Sequence, residues 1–428
     1  MDTITVDVLI IGAGPSGCVA ASYLQNNGIN CKVVEKNTFP RFVIGESLLP
    51  RCMDHFEETG LLDCLMEQDF EVKSGARFLK NGIVCNFDFG KKYTPGWDYT
   101  WQVPRADFDH TLAKEIVKKG VDLSFGHEVT NVEFVSSAPL GDGDHSPQGV
   151  GDSITTVKDE NGEVYKIKAK FIIDSSGFGR VLPRLLDLDM PSSLDANSAI
   201  FTHVNEPNRP KGTEGTIITF DVVRDDVWLW VIPFSNGNTS IGFVGPTEFI
   251  ESFKGTNTEK MKEMLKISDY YYDRLKELEF LFDPYMIKNY SKAVKQLYGK
   301  GYALTGNSAE FLDPVFSSGV TFATESGLKA AKLITKELQG EKVDWEADYT
   351  GYIMKGVDVF RTYVKEWYTG NLQKIFFHRP ENPVIKEQIC AVLAGYVWDE
   401  TNPFVKNHDR LVKTVAKVID MESEKVGK

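Results

Sequence analysis

Residues 6–11 (VDVLII) form an almost unbroken apolar run, the pattern of a parallel strand buried on both faces. Small and apolar residues then recur at helical spacing over 18–27 (Val19, Ala20, Ala21, Leu24), and a second apolar run, 31–34, ends on Glu35. The spacing predicts strand, helix and strand, the start of a doubly wound α/β unit. Another buried-strand run occurs at 171–173 (FII). From about 198 the pattern changes to alternating strands with no helix between them, over 198–204, 214–222, 226–233 and 239–245. That alternation predicts an antiparallel sheet inserted into the first unit. A buried-strand pattern returns at 301–306, followed by a helix to about residue 338. Residues 341–428 read as helical, with an aromatic-rich stretch containing Trp367, Tyr368, Phe376 and Phe377.

Between these landmarks a helix is expected over 48–59, capped by Ser47 and ended by Gly60, with a shorter one over 61–68. A strand begins at 70, and residues 103–109 open a helix to about 119. Strands return at 121–124 and 132–135. Residues 136–153 (SSAPLGDGDHSPQGVGDS) cannot bury a core and are expected to form a mobile hairpin loop; Asn161-Gly162 is a hairpin turn signal. The expected division is a discontinuous first domain (1–80, 101–190 and 298–340), an inserted domain (81–100 and 191–297) and a helical C-terminal region (341–428).

The chain has 428 residues, more than one compact core usually organises. A net charge of −13 argues against a nucleic-acid partner, which needs clustered Lys and Arg. The six cysteines are scattered without C-x-x-C pairs and the seven histidines without H-x-x-H spacing, so no metal site is expected and the thiols read as packed and reduced. No apolar run approaches a membrane span, and the expected location is cytoplasmic.

Chemistry enters at Gly12-Ala13-Gly14-Pro15-Ser16-Gly17, a G-x-G-x-x-G lying between the first strand and the helix. In such a turn Gly12 allows the bend, Gly14 admits a pyrophosphate and Gly17 lets the helix approach the sheet. The helix N-terminus, opened by Pro15 and Ser16, offers unpaired N–H groups and partial positive charge to phosphates. Glu35, at the end of the second strand, is spaced to hold ribose hydroxyls. The fingerprint predicts a dinucleotide without saying which.

Distant segments narrow it. Arg105 in VPRADFD, Asp174-Ser175-Ser176-Gly177, Gly306-Asn307-Ser308-Ala309, and FLDPVFSSGV at 311–320 together resemble the FAD-dependent aromatic hydroxylase superfamily. Within it the chain resembles most the flavin-dependent halogenases of the non-tryptophan branch, with geranylgeranyl-reductase-like oxidoreductases as near relatives. The resemblance implies a Rossmann-like, glutathione-reductase-type FAD-binding domain with an inserted antiparallel-sheet substrate domain. It implies FAD contacts from Gly12, Gly14, Pro15, Ser16, Gly17, Glu35, Lys36, Arg41, Glu46, Ser47, Arg105, Asp174, Gly306, Asn307, Pro314, Ser317, Ser318, Gly319 and Val320. Gly45-Glu46-Ser47 resembles the family's flavin-side strap. Asn307 stands where the family carries an acid on the ribityl chain. A halide is implied beside Ser318 and Gly319.

Two elements choose the halogenase branch. Trp228-Leu229-Trp230-Val231-Ile232-Pro233 matches W-x-W-x-I-P, and period-two tryptophans place both indoles on one sheet face as a wall. Lys73 in Lys73-Ser74-Gly75-Ala76-Arg77-Phe78 fits the family lysine that receives hypohalous acid at the end of a tunnel from the flavin. By resemblance, a separate flavin reductase supplies reduced FAD, and oxygen and halide complete the reaction on a phenolic, pyrrolic or carrier-bound substrate. Phe316 replaces the glutamate of the tryptophan-specific enzymes. The alternative kept open is an FAD-dependent reductase, dehydrogenase or monooxygenase of the same fold, and a flavin-binding protein without catalysis stands third.

Overall fold

The computed structural model describes residues 3–135 and 152–426. The hairpin loop expected over 136–153 lies, apart from Asp152 and Ser153, outside the described residues.

One sheet carries the dinucleotide fingerprint. Its parallel core runs Tyr302–Leu304, Val164–Asp174, Thr3–Ile11, Cys31–Glu35, Asp122–Phe125. The apolar run of the first strand is buried because it lies at the centre of this order, with Val8, Leu9 and Ile10 wholly inaccessible. Val164–Asp174 changes partner along its length. Residues 164–169 pair antiparallel with Ser153–Lys158, whereas Ile172, Ile173 and Asp174 pair parallel with Tyr302, Ala303 and Leu304. Helix Pro15–Asn26 crosses from the first strand to the second and packs on helix Ser318–Leu338.

The second sheet has seven strands, in the order Tyr285–Lys288, Asn197–Asn205, Asn238–Pro246, Val227–Pro233, Thr219–Arg224, Gly75–Lys80, Ile83–Asp88. Strand Gly75–Lys80 pairs parallel with Thr219–Arg224, so residues 75–80, expected with the first domain, belong to the inserted sheet. The expected strand over 214–222 also changes. Thr213–Thr216 is one turn of helix, because the chain folds back so tightly that a Cβ on Gly215 would lie 1.8 Å from the Pro210 carbonyl oxygen.

Val227–Pro233 is buried on both faces. Val227, Leu229 and Val231 enter an outer core under helices Thr247–Ser252, Asn257–Leu265 and Tyr272–Leu275, while Trp228, Trp230 and Ile232 face the main core. Opposite Trp230 stands Gly242, where a Cβ would lie 2.3 Å from the indole and 2.6 Å from the Phe201 Cβ. The glycine is what lets the indole lie across its neighbour strand. Gly242→Ala is expected to cost about 1–3 kcal/mol by overpacking, read as a lowered urea midpoint with an altered near-ultraviolet circular dichroism of tryptophan.

The C-terminal region is helical, led by Tyr352–Tyr368, Pro383–Leu393 and His408–Val426. Trp367 and Phe376 pack there on Phe78 of the second sheet.

Candidate functional site

A cleft partly open to solvent runs between the two sheets. At one end lies the glycine turn. Gly12 has φ +101°, and a Cβ there would stand 2.5 Å from the Ser175 carbonyl oxygen. A Cβ on Gly17 would fall 2.0 Å from the Gly12 carbonyl oxygen, so this glycine serves helix–strand contact and does not line the cleft. Gly14 meets nothing nearer than the Arg41 guanidinium at 3.9 Å, leaving an open floor before the helix N-terminus formed by Pro15 and Ser16. Glu35 is buried at the cleft edge; it accepts hydrogen bonds from the Ala13 N–H (3.0 Å) and the Asn37 N–H (2.9 Å).

Beside the turn the cleft wall is cationic. Arg105 donates to both carboxylate oxygens of Asp109 (2.8 and 3.0 Å) and to the carbonyls of Ile44 and Gly45. Arg41 donates to the same Asp109 (2.8 Å) and lies over the Phe39 ring. Two guanidinium groups share one wholly buried acid, so this cluster carries a net positive charge, while Glu35 and Glu46 add acids elsewhere on the lining. A cluster of hydroxyls adjoins it: Ser16 donates to Thr305 (2.8 Å), and Ser175 lies 2.8 Å from Thr305.

The far end is apolar. Trp228, Trp230, Phe220, Ile218 and Ile232 form one wall, and Phe311, Pro314, Ser317, Gly319 and Val320 the other. The turn Pro314–Phe316 delivers Ser317 at φ +55°, after which helix Ser318–Leu338 starts with its N-terminus at the cleft. This turn is tied to the tryptophan wall. Asp313 accepts from Tyr290 (2.7 Å) and Tyr368 (3.0 Å), and the Trp228 indole donates to Tyr368 (3.1 Å). Burial raises the Asp313 carboxyl above its usual range, opposed by these hydroxyl bonds and the Val315 N–H. Gly306 and Asn307 sit between the two ends, Gly306 at φ +54° with its N–H on Ser326.

The strap crosses the cleft at 45–47. Glu46 is buried and lies 2.6 Å from His203 Nε2 on the second sheet, while its other carboxylate oxygen has no partner among the described residues. Ser47 lines the cleft. It caps no helix, since helix Arg51–Thr59 begins four residues later at an uncapped Pro50, and its hydroxyl instead accepts from Lys73 Nζ (2.8 Å). Lys73 also donates to the Leu48 carbonyl (2.7 Å) and is 2 % exposed. Burial lowers its pKa from the ordinary lysine value to about 7, opposed by the nearby Cys52.

Five expected cofactor contacts lie off the cleft, Gly17 of the helix–strand contact among them. Lys36 is exposed and pairs with Glu128 (2.7 Å), because Glu35 and Lys36 point to opposite sides of the strand end. The Asp174 carboxylate is buried and accepts from the Ser176 N–H (2.9 Å) and the Leu182 N–H (2.7 Å), bracing the turn behind the hydroxyl cluster. Gly12 acts by shaping the turn. Ser318 is buried outside the lining, so of the expected halide pair only Gly319 faces the cleft. Asn37, Asp109, His203 and Thr305 lie outside the expected contacts, whereas Ser175 belongs to the expected Asp174–Gly177 motif; Asp109 carried a signal, standing one helical turn after Arg105.

Residues 5–266 match the family described as FAD binding domain. The chain belongs to that family. It is 28% identical over 417 residues to a 1H-pyrrole-2-carbonyl-[peptidyl-carrier protein] chlorinase of Pseudomonas fluorescens (92% of this chain, 89% of that protein). A 1H-pyrrole-2-carbonyl-[peptidyl-carrier protein] brominase of Pseudoalteromonas luteoviolacea is 26% identical over 412 residues, 92% of each. Among solved structures, a flavoprotein/dehydrogenase from Cytophaga hutchinsonii is 48% identical with a TM-score of 0.93, over 98% of this chain and 100% of that one. The flavin-dependent brominase Bmp2 shares the fold at TM-score 0.81 and 24% identity, over 98% and 100%. The protein is therefore an FAD-dependent oxidoreductase whose relatives include flavin-dependent halogenases.

The cleft of this FAD binding domain protein fits FAD. Glu35 and Asn37 stand where ribose hydroxyls need acceptors. Arg41, Arg105 and the open Gly14 floor suit a pyrophosphate. The unpartnered Glu46 oxygen and the N-terminus of Ser318–Leu338 would offer hydrogen bonds to the cofactor, and the tryptophan wall an apolar surface. No helix among the described residues is long and apolar enough to cross a membrane, and no group of His, Cys, Asp and Glu is arranged to hold a metal.

Proposed function

We propose that the protein halogenates an electron-rich aromatic substrate. The observation carrying this reading is Lys73, an amine buried directly behind the strap and pinned by Ser47 and Leu48. A lysine with pKa near 7 is poised both to donate a hydrogen bond and to lose its proton at neutral pH. Bound FAD, once reduced, supplies the two electrons with which oxygen and a halide become an electrophilic halogen donor. The chain's residues do the rest: Arg41 and Arg105 hold the phosphates, the Gly319 end of its helix favours an anion beside the ring, and Trp228 and Trp230 exclude water and substrate from the flavin face. Lys73 then holds the halogen donor away from the flavin by hydrogen bonding its oxygen.

The related carrier-protein chlorinase and brominase support a phenolic or pyrrolic substrate, free or carrier-bound. Reduced FAD is supplied by a separate flavin reductase in the cytoplasm. A second reading, an FAD-dependent dehydrogenase or reductase, is favoured by the closed surroundings of Lys73 and by likeness to the flavoprotein/dehydrogenase.

The test is anaerobic reduction of the FAD-loaded protein, then oxygen and bromide with a panel of phenols and pyrroles. A one-to-one bromine isotope doublet in the product mass spectrum is expected. Reduction of the flavin by an organic substrate, with no brominated product across the panel, would replace the first reading by the second.

A further inference from the structure

Lys73 and the cleft do not touch. The amine is 2 % exposed and absent from the lining, whereas Ser47, whose hydroxyl it grips, is a lining residue. Ser47 is thus the point at which the cleft comes nearest to Lys73 through a direct hydrogen bond. The surroundings of the amine are otherwise closed by the Leu48 carbonyl and the face of Phe89, 5.7 Å from Nζ. One further observation shows that this enclosure is incomplete in its bonding. Thr100 stands directly opposite Lys73 in the antiparallel pair, so both side chains rise from the same face. Its buried hydroxyl has no partner among the described residues, and an ammonium with three donors has two hydrogen-bond acceptors here. A small polar guest would find an unused hydrogen-bonding atom on each of the two residues.

We infer that Ser47 is a positioning residue and gate: its hydroxyl orients the Lys73 amine and its side chain separates the amine from the cleft, so that a small polar guest reaches Lys73 and Thr100 only by displacing that hydrogen bond. For catalysis this rests on the halogenation reading, with hypohalous acid as the guest; the gate itself does not. The strap position of Ser47 supports the assignment. Its backbone bridges Gln102 of the small two-stranded sheet formed by Glu71–Lys73 and Thr100–Gln102, and Glu46 beside it is held by His203 of the seven-stranded sheet, so the hydroxyl is carried on a segment anchored at both points. Displacement of one side chain therefore opens the enclosure without moving the strap.

The experiment uses the full-length protein and acetic anhydride as the small probe, with acylation followed lysine by lysine by mass spectrometry. Ser47→Ala is expected to speed acylation of Lys73 at least tenfold, and Ser47→Thr, which keeps a hydroxyl, to leave it within about twofold of the parent. Lys32, equally buried but paired with Asp122 far from the strap, reports general loosening and is expected to stay slow in both variants. Equal Lys73 rates in parent and Ser47→Ala overturn the gate, as does a Ser47→Thr variant behaving like Ser47→Ala. Should Lys32 accelerate together with Lys73, the effect is unfolding and the gate is likewise rejected. Absence of brominated product in the preceding experiment, with the acylation pattern as expected, removes the halogenation reading and leaves the gate standing.

Discussion

Lys73→Met is expected to lower brominated product at least a hundredfold while raising the stability of the protein at pH 7. The two effects share one cause. Burial holds the Lys73 pKa near 7 against an ordinary value of 10.5, a shift corresponding to about 5 kcal/mol of differential interaction. Between these pH values the unfolded chain binds the proton and the folded chain does not, so stability rises with pH across that window. At and below pH 7 the folded protein carries almost the full penalty of a buried ammonium. Methionine fills a similar volume without charge, and loss of two hydrogen bonds offsets about 2 kcal/mol. The variant should therefore gain about 3 kcal/mol at pH 7, and the gain should vanish at pH ~9, where the remaining charge penalty equals the about 2 kcal/mol of lost hydrogen bonds, and turn into a small loss at pH 9.5. Urea unfolding of both proteins at pH 7 and 9.5 measures this. A variant less stable than the parent at pH 7 would mean that Lys73 is hydrated in solution.

Asp109→Asn should act in the opposite sense on stability and should also weaken FAD binding. Asp109 is wholly buried and neutralises parts of two guanidinium groups, Arg105 being nearly as buried and Arg41 only slightly exposed. Removing one partner from such a buried charge cluster costs about 3–5 kcal/mol. Two forces then compete in the cleft. The lost negative charge raises the attraction for pyrophosphate, but the guanidinium planes lose the fork that aims them. Geometry is expected to win, because bidentate recognition depends on orientation, and the FAD dissociation constant should rise about 10- to 100-fold. Quenching of flavin fluorescence on titration measures it. Tighter binding would show that net charge, and not aim, governs the site.

What the chain reveals before folding is governed by sequence distance. The strand, glycine turn, helix and Glu35 read clearly because their order is written within about thirty consecutive residues, and the W-x-W alternation reads because period two states which side faces the core. The second sheet's membership did not read so well. Strand 75–80 carries no mark that its partner lies beyond residue 218, and the strand-forming residues at 217–219 hid the helical turn imposed by Gly215 before them. Lys73 was found by resemblance, but its partner Ser47 looked like a helix cap, since Ser before a helical run usually is one. The pairing of Glu46 with His203 and of Thr305 with Ser175 spans well over a hundred residues, and such contacts leave no periodicity to detect.

The strand Val164–Asp174 has a consequence for how the protein is made. Its first half can pair with Ser153–Lys158 as soon as both leave the ribosome, whereas its last three residues, paired on one edge with Leu9–Ile11, must wait for Tyr302–Leu304 on the other, a detour of more than a hundred residues. The wall supplied by Thr305, Gly306, Asn307 and the turn at Pro314–Phe316 follows directly on that late strand. A nascent chain therefore displays the glycine turn and Glu35 long before it owns a complete cleft. FAD should be captured late, once the chain has been made past Ala323, which closes the lining. Because a ligand bound only to the finished fold stabilises it by mass action, flavin supply in the cell should set how much of the newly made protein escapes degradation.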